Sequence, residues 1–94
     1  MDKDHKDWFV YMAQGRTGRL YTGISTDPER RIKEHNESKK GAKWARMERP
    51  LILVYSCHAE SKSDALKKEI ELKRLSRKDK LLFIGSENEK NHIT

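Results

Sequence analysis

The 94-residue sequence predicts a small mixed α and β domain: a hairpin, a helix, a third strand and two further helices. Three observations carry that prediction. Short apolar runs occur at Trp8 to Met12, Leu20 to Ile24 and Leu51 to Cys57, each too short for a confident helix and rich in aromatic and β-branched residues. Turn chemistry, Gln14-Gly15-Arg16-Thr17-Gly18, separates the first two runs. Helix-opening signatures stand at Asp27-Pro28-Glu29 and at Ser61, which is followed three residues later by Asp64.

Taken in order, Trp8 to Ala13 reads as a strand buried on both faces and Arg19 to Ile24 as its returning partner. If a three-residue loop at Gly15 to Thr17 is closed by Gly18, Tyr11 lies directly opposite Tyr21 and both point to one face. Asp27 caps a helix over Pro28 to Asn36, with Pro28 at its first position and Glu29 at the positive end of the dipole. Glu37 to Pro50 lacks an apolar period and contains Gly41 and Pro50, so it reads as a long surface connection. Leu51 to Cys57 is the third strand, Ser61 opens a helix that runs to about Leu75, and Ser76 caps a short last helix ended by Gly85. One core fits this length, so the domain is expected at 8–85, between disordered tails at 1–7 and 86–94.

The net charge is +6, and each tail carries one excess negative charge, which leaves +8 on the body. That sign suits an anionic partner such as a nucleic-acid backbone, although it also serves solubility. The single Cys57 forms no internal disulfide and fits a reducing cytoplasm. No secretory h-region or membrane-length apolar run is present, so no membrane is expected. The sequence offers no CxxC pair, Walker-type loop or HExxH, and so no support for zinc, nucleotide triphosphate or metalloprotease chemistry.

Four groups of polar residues are candidates for chemistry. On a helical wheel Glu69 falls within the apolar arc of Ala65, Leu66, Ile70, Leu72 and Leu75, where a carboxylate is costly unless a cation satisfies it; that cation is either a metal or Lys73, four residues on. Arg31 and His35 adjoin each other on the first helix, as a donor fork for phosphate and a proton-transfer group, or as solvated surface. Tyr11 and Tyr21 form either a cross-strand aromatic pair or a water-positioning pair of phenols. Lys39, Lys40, Lys43, Arg46 and Arg49 are set against only Glu48 in their segment, with Trp44 among them: a stretch that can track phosphates and stack a base, or a solvated loop whose Trp44 folds back onto the core.

The ordered set Tyr11, Tyr21-Thr22-Gly23, Arg31, His35 and Glu69, together with Asp27-Pro28-Glu29-Arg30-Arg31-Ile32, resembles the GIY-YIG nuclease superfamily over roughly Trp8 to Phe83. The name triplets appear here as Phe9-Val10-Tyr11 and Tyr21-Thr22-Gly23. The closest likeness is to small, single-domain bacterial members. The resemblance implies a three-stranded antiparallel sheet flanked by helices, with Tyr11, Tyr21, Arg31, His35 and Glu69 converging on one concave face. It also implies an endonuclease dependent on Mg²⁺ or Mn²⁺, with Glu69 as metal ligand, DNA as the foremost substrate and DNA repair as the setting. Gly23, Arg30, Lys39, Lys40, Lys43, Trp44 and Arg46 are then the expected nucleic-acid contacts. Many nucleases of the superfamily carry a separate DNA-recognition domain; without one, a protein partner supplies specificity. The alternatives are a non-cleaving nucleic-acid-binding module of the same fold, or an adaptor whose basic face meets an acidic protein.

Overall fold

The computed structural model describes residues 7–38 and 43–92, and the side chains among these except 43–45 and 89–92. Three strands, β1 (Trp8–Gln14), β2 (Leu20–Ser25) and β3 (Ile52–Ala59), form one antiparallel sheet in the order β2-β1-β3. The helices are α1 (Pro28–Glu37), α2 (Lys43–Glu48), α3 (Lys62–Lys73) and α4 (Arg77–His92). The mixed architecture predicted from the sequence is therefore the one found.

The continuous apolar run of β1 has its cause in its place as the central strand. Val10 and Met12 point into a core with Leu72 and Ile84 of α3 and α4, while Tyr11 and Ala13 point the other way, against Ile32 of α1 and Leu51. Period-two alternation thus sends half of one strand to each face, and both faces are covered. In β3 the register shifts between the partners of Met12 and Ala13, which pair with Tyr55 and Leu53 and leave Val54 as the extra residue of a bulge. Val54 and Tyr55 consequently both join the α3–α4 core, and Leu53 joins the α1 side.

The hairpin loop corrects one expectation. Gly15 N donates to Arg19 O at 2.8 Å, Gly18 N donates to Gly15 O at 2.9 Å, and Gly18 has φ 94°. The three-residue loop is therefore Arg16 to Gly18, a turn followed by a left-handed residue, and Gly18 lies inside it rather than closing it. Moving both loop ends by one residue shifts the register by two: Tyr11 faces Gly23, and Tyr21 faces Ala13. A two-residue slip preserves the face, so both tyrosines still pack in the α1-side cluster.

The caps form as the sequence implies. Arg30 N donates to Asp27 Oδ1 (3.2 Å), Asp64 N to Ser61 Oγ (3.1 Å) and Asp79 N to Ser76 Oγ (3.1 Å). Two helix expectations fail. The Glu37 to Pro50 connection contains α2, whose Lys-Trp-Ala-Arg-Met-Glu run has neither Gly nor Pro and ends on a buried Glu48. The last helix does not stop at Gly85: that glycine keeps a negative φ, and the helix continues to His92, through residues assigned to the tail. The apolar arc of α3 is also narrower than its wheel suggests. Ala65 and Leu72 are buried, but Leu66 and Ile70 are 40% and 51% exposed.

The end of α1 is fastened to the start of β3 by one side chain. Asn36 Nδ2 donates to Leu51 O (2.9 Å) and Asn36 Oδ1 accepts from Leu51 N (2.7 Å), as a paired strand residue would. Arg49 Nε adds a bond to the His35 carbonyl (2.7 Å). Asn36→Ala is expected to strand both Leu51 backbone groups and cost about 2 kcal/mol, read as a lower urea midpoint at unchanged m-value.

Candidate active site

Tyr11 is the centre of the polar cluster. It projects from the central strand to the α1 side, is almost fully buried, and lies across Gly23 of the neighbouring strand. A Cβ at Gly23 would stand 2.9 Å from Tyr11 Oη and 3.0 Å from Cζ, so the missing side chain is what makes room for the phenol. Burial raises the phenol above its ordinary 10.0; the Arg31 guanidinium, at hydrogen-bonding range, opposes that rise, and the Glu69 carboxylate reinforces it. One hydroxyl from the sheet therefore lies within the fields of a cation from α1 and an anion from α3. It is protonated at neutral pH.

His35 follows Arg31 by one turn on α1. Burial first, then the charges of Arg31 and Arg49, push its imidazole below 6.5, against a smaller pull from Glu34. It is mainly neutral at pH 7. Glu69 is 17% exposed, and its Oε2 lies 3.5 Å from the Nζ of Lys73, itself 56% exposed. The ion pair that served as one of the two readings of Glu69 is thus formed, on a carboxylate whose field also reaches Tyr11.

Tyr21 takes a different partner. Its hydroxyl donates to Glu48 Oε2 at 2.9 Å, and Arg19 is a second neighbour at hydrogen-bonding range. Glu48 is 3% exposed, the one charged residue buried to that degree among the described residues. Its Oε1 accepts from the Thr17 amide (3.2 Å) and from the Thr17 hydroxyl. Gly15 lies so close that an added Cβ would come within 2.8 Å of the Glu48 Cδ. The backbone joins in, with Arg16 N donating to Glu48 O at 2.8 Å and Arg16 Nε to Met47 O at 3.2 Å. Thr17, Arg19, Met47 and Glu48 line a cavity of about 250 Å³ beside this clasp. The sequence reading counted Glu48 only as the one acid against five cations. Its isolation in that stretch was the available signal.

The proposed nucleic-acid contacts divide. Arg46 is exposed on α2, and Arg30 is exposed but paired with Glu34 at 3.1 Å. Gly23 is the floor beneath Tyr11. Lys39 and Lys40 lie outside the described residues, as do the side chains of Lys43 and Trp44.

Thr17 above all holds the Glu48 carboxyl below its ordinary 4.5; burial opposes this, and Tyr21 and Arg19 assist it. A carboxyl depressed in the folded state contributes stability that is complete above its unfolded value and is lost as pH falls through the folded one. The stability difference between wild type and Glu48→Gln should therefore be constant from neutrality down to about pH 5 and shrink below 4.5, measured by urea denaturation across pH.

With this geometry established, similarity to known proteins places the chain. The family model for the GIY-YIG catalytic domain matches residues 7–85. A UPF0213 protein of Desulfotalea psychrophila is 48% identical over 75 residues, 80% of this chain and 68% of that one. A UPF0213 protein of Staphylococcus saprophyticus is 43% identical over 77 residues, 82% of this chain and 93% of that one. Among solved structures, a UPF0213 protein of Bacillus halodurans superposes with TM-score 0.55 at 40% identity, covering 84% of this chain and 83% of the other. A protein of E. faecalis does so with TM-score 0.62 at 34% identity, covering 93% and 92%. No described helix is long and apolar enough to cross a membrane. The chain belongs to the GIY-YIG catalytic-domain family, in company with the small bacterial UPF0213 proteins.

Proposed function

We propose that the protein is a metal-dependent endonuclease that hydrolyses phosphodiester bonds, with DNA as substrate and the cytoplasm as its place of work. What supports this reading is that the charges of Arg31 and Glu69, from two separate helices, both act on the phenol of Tyr11. A pure binder of phosphate gains nothing from a carboxylate there, since the carboxylate repels the ligand.

Glu69 fits a hard divalent ion. Among the described residues no group of three or more His, Cys, Asp or Glu side chains gathers, so the donor set does not suit a caged transition metal. Mg²⁺ or Mn²⁺ keeps most of its waters and needs one carboxylate plus substrate oxygens, which a partly exposed Glu69 provides. When bound, such an ion supplies Lewis-acid polarisation of the phosphate and stabilises the departing 3′ oxygen.

The chain's own residues do the rest. Arg31 offers its donor fork to the non-bridging phosphate oxygens as charge builds on them. Tyr11, protonated at neutral pH, orients the attacking water. His35, mainly neutral, accepts that water's proton directly or through Tyr11. Arg46 and the Lys39 to Trp44 segment track the flanking strand, and a protein partner supplies further specificity for damaged or branched substrates.

Incubation with supercoiled plasmid and branched DNA tests the reading. Nicking is expected with Mg²⁺ or Mn²⁺ and not with chelator, and is expected to fall by about 100-fold or more in Glu69→Ala and Arg31→Ala. Equal nicking by wild type and both variants would assign the activity to a contaminant. Because neutral His35 is the required form and its imidazole is depressed, the acid limb of kcat against pH should lie below 6.5 and flatten in His35→Asn.

A further inference from the structure

Leu66 and Ile70 are large apolar residues of α3 that the core leaves in solvent. They stand four residues apart on one helix, so their side chains adjoin and form a single apolar step. Turning about 100° per residue from buried Ala65, Glu69 falls at about 40°, Lys62 at about 60°, Lys73 at about 80°, Leu66 at about 100° and Ile70 at about 140°. The other acids of α3, Asp64 and Glu71, fall at about 260° and 240°, on the far flank. One flank therefore combines the carboxylate whose charge acts on Tyr11, two lysines and an apolar step. The lysines mark its borders: Lys62 Nζ lies 5.2 Å from the centroid of the Trp8 ring, and Lys73 is paired with Glu69.

We propose that Leu66 and Ile70 are specificity-determining residues, forming the surface on which unpaired nucleobases beside the scissile phosphate are received. This rests on the nuclease reading above, which puts that phosphate at Glu69. Leu66 lies three residues before Glu69 and Ile70 one residue after it, so a strand held at the carboxylate has the step within about one helical turn, 5.4 Å of rise. The charge of the flank selects the occupant. Apart from Glu69 its ionic groups are cations, which suit a strand of phosphates and repel a second copy of this basic chain. An apolar step bordered by lysines matches a chain that alternates anionic phosphates with flat apolar base faces. In an intact duplex those faces are buried in the stack, and exposing one costs a few kcal/mol. Where bases have lost their partners, less of that cost remains and the faces are open to Leu66 and Ile70. The step thus discriminates by the state of the bases rather than by their order: it reads no hydrogen-bonding edge.

The test compares the full chain with a variant carrying Leu66→Ala and Ile70→Ala together; both sites are exposed and alanine favours helix, so the fold is expected to persist, as far-ultraviolet circular dichroism will report. Fluorescence anisotropy at low salt, with chelator to prevent cleavage, measures binding to one DNA sequence in three forms: intact duplex, duplex with a run of mismatched bases, and single strand. Wild type is expected to bind the two forms with unpaired bases about 10-fold more tightly than the duplex, and the variant to lose about that factor on those forms while binding the duplex almost as before. A 2-aminopurine in the mismatched run is expected to change its fluorescence on binding wild type and to change less with the variant. Equal loss on all three DNAs, no loss on any, or no binding by wild type would each overturn the proposal. So would a wild-type dimer, seen by sedimentation, that the substitutions dissociate, since a second copy would then cover the step. Preference for unpaired bases without metal-dependent nicking of any substrate would retire the nuclease reading and leave the base contact; nicking by wild type with no such preference would do the reverse.

Discussion

The structure depends on burying both faces of one seven-residue strand. β1 has a neighbour on either edge and helices on either side, so its odd and even residues enter two separate packing environments. Val10 and Met12 contribute ordinary hydrophobic burial beneath α3 and α4, on the order of 1.5–3 kcal/mol each by area. Tyr11, one residue away, spends its position on the other face, where a phenol lies among charges. The strand that holds the core together is thus the strand that presents the central polar group, and Tyr11 inherits the rigidity of a doubly covered backbone. A group on such a backbone is held to the tolerance that phosphoryl chemistry demands far better than one on a loop.

That rigidity reaches the helices through polar fastenings rather than through a large interface. α1 has two buried residues, Pro28 and Ile32, so packing alone orients it weakly. Asn36 compensates by joining the Leu51 backbone like a strand residue, and Arg49 bonds the His35 carbonyl. These bonds sit in the turn that follows Arg31, and they set the rotation of the helix that aims Arg31 at Tyr11. At the same end of the sheet, Arg77 Nη1 donates to Gly18 O at 2.6 Å while Glu48 grips Thr17, so the hairpin loop is held from α4 and from α2 together.

How much of this the sequence disclosed follows from the range of each interaction. The helix starts at Asp27, Ser61 and Ser76 were legible because a cap and its amide lie three residues apart. The two-sided burial of β1 was legible because it leaves an unbroken apolar run. The hairpin register required deciding whether Gly18 closes the loop or occupies its left-handed position, and composition favours neither; the choice moved Tyr21 from opposite Tyr11 to opposite Ala13. The exposure of Leu66 and Ile70 was illegible because a wheel orders residues by angle but does not reveal how wide a sheet the helix will meet. Glu48 was illegible in a deeper sense. Its partners Thr17 and Tyr21 lie 31 and 27 residues earlier, and beyond its isolation among five cations no local pattern marks a carboxylate that will be buried by a loop so distant.

The two glutamates whose charges act on the tyrosines show why position decides role where residue type does not. Glu48 has three donors on its two oxygens, is almost without solvent access, and packs against Gly15; a cation would have to displace bonds to Thr17 or Tyr21 to reach it. Exchanging those bonds for a hydrated ion costs the desolvation of that ion and leaves buried donors unpaired. Among the described residues, Glu69 is paired with Lys73, a more exposed side chain, at 3.5 Å, in an ion pair of the kind worth about 0–1 kcal/mol. In the proposed reading, a divalent ion would replace that partner at little cost and double the charge facing the carboxylate. Under the proposed reading, Glu69 rather than Glu48 would therefore be the acid that shares a metal with the phosphate.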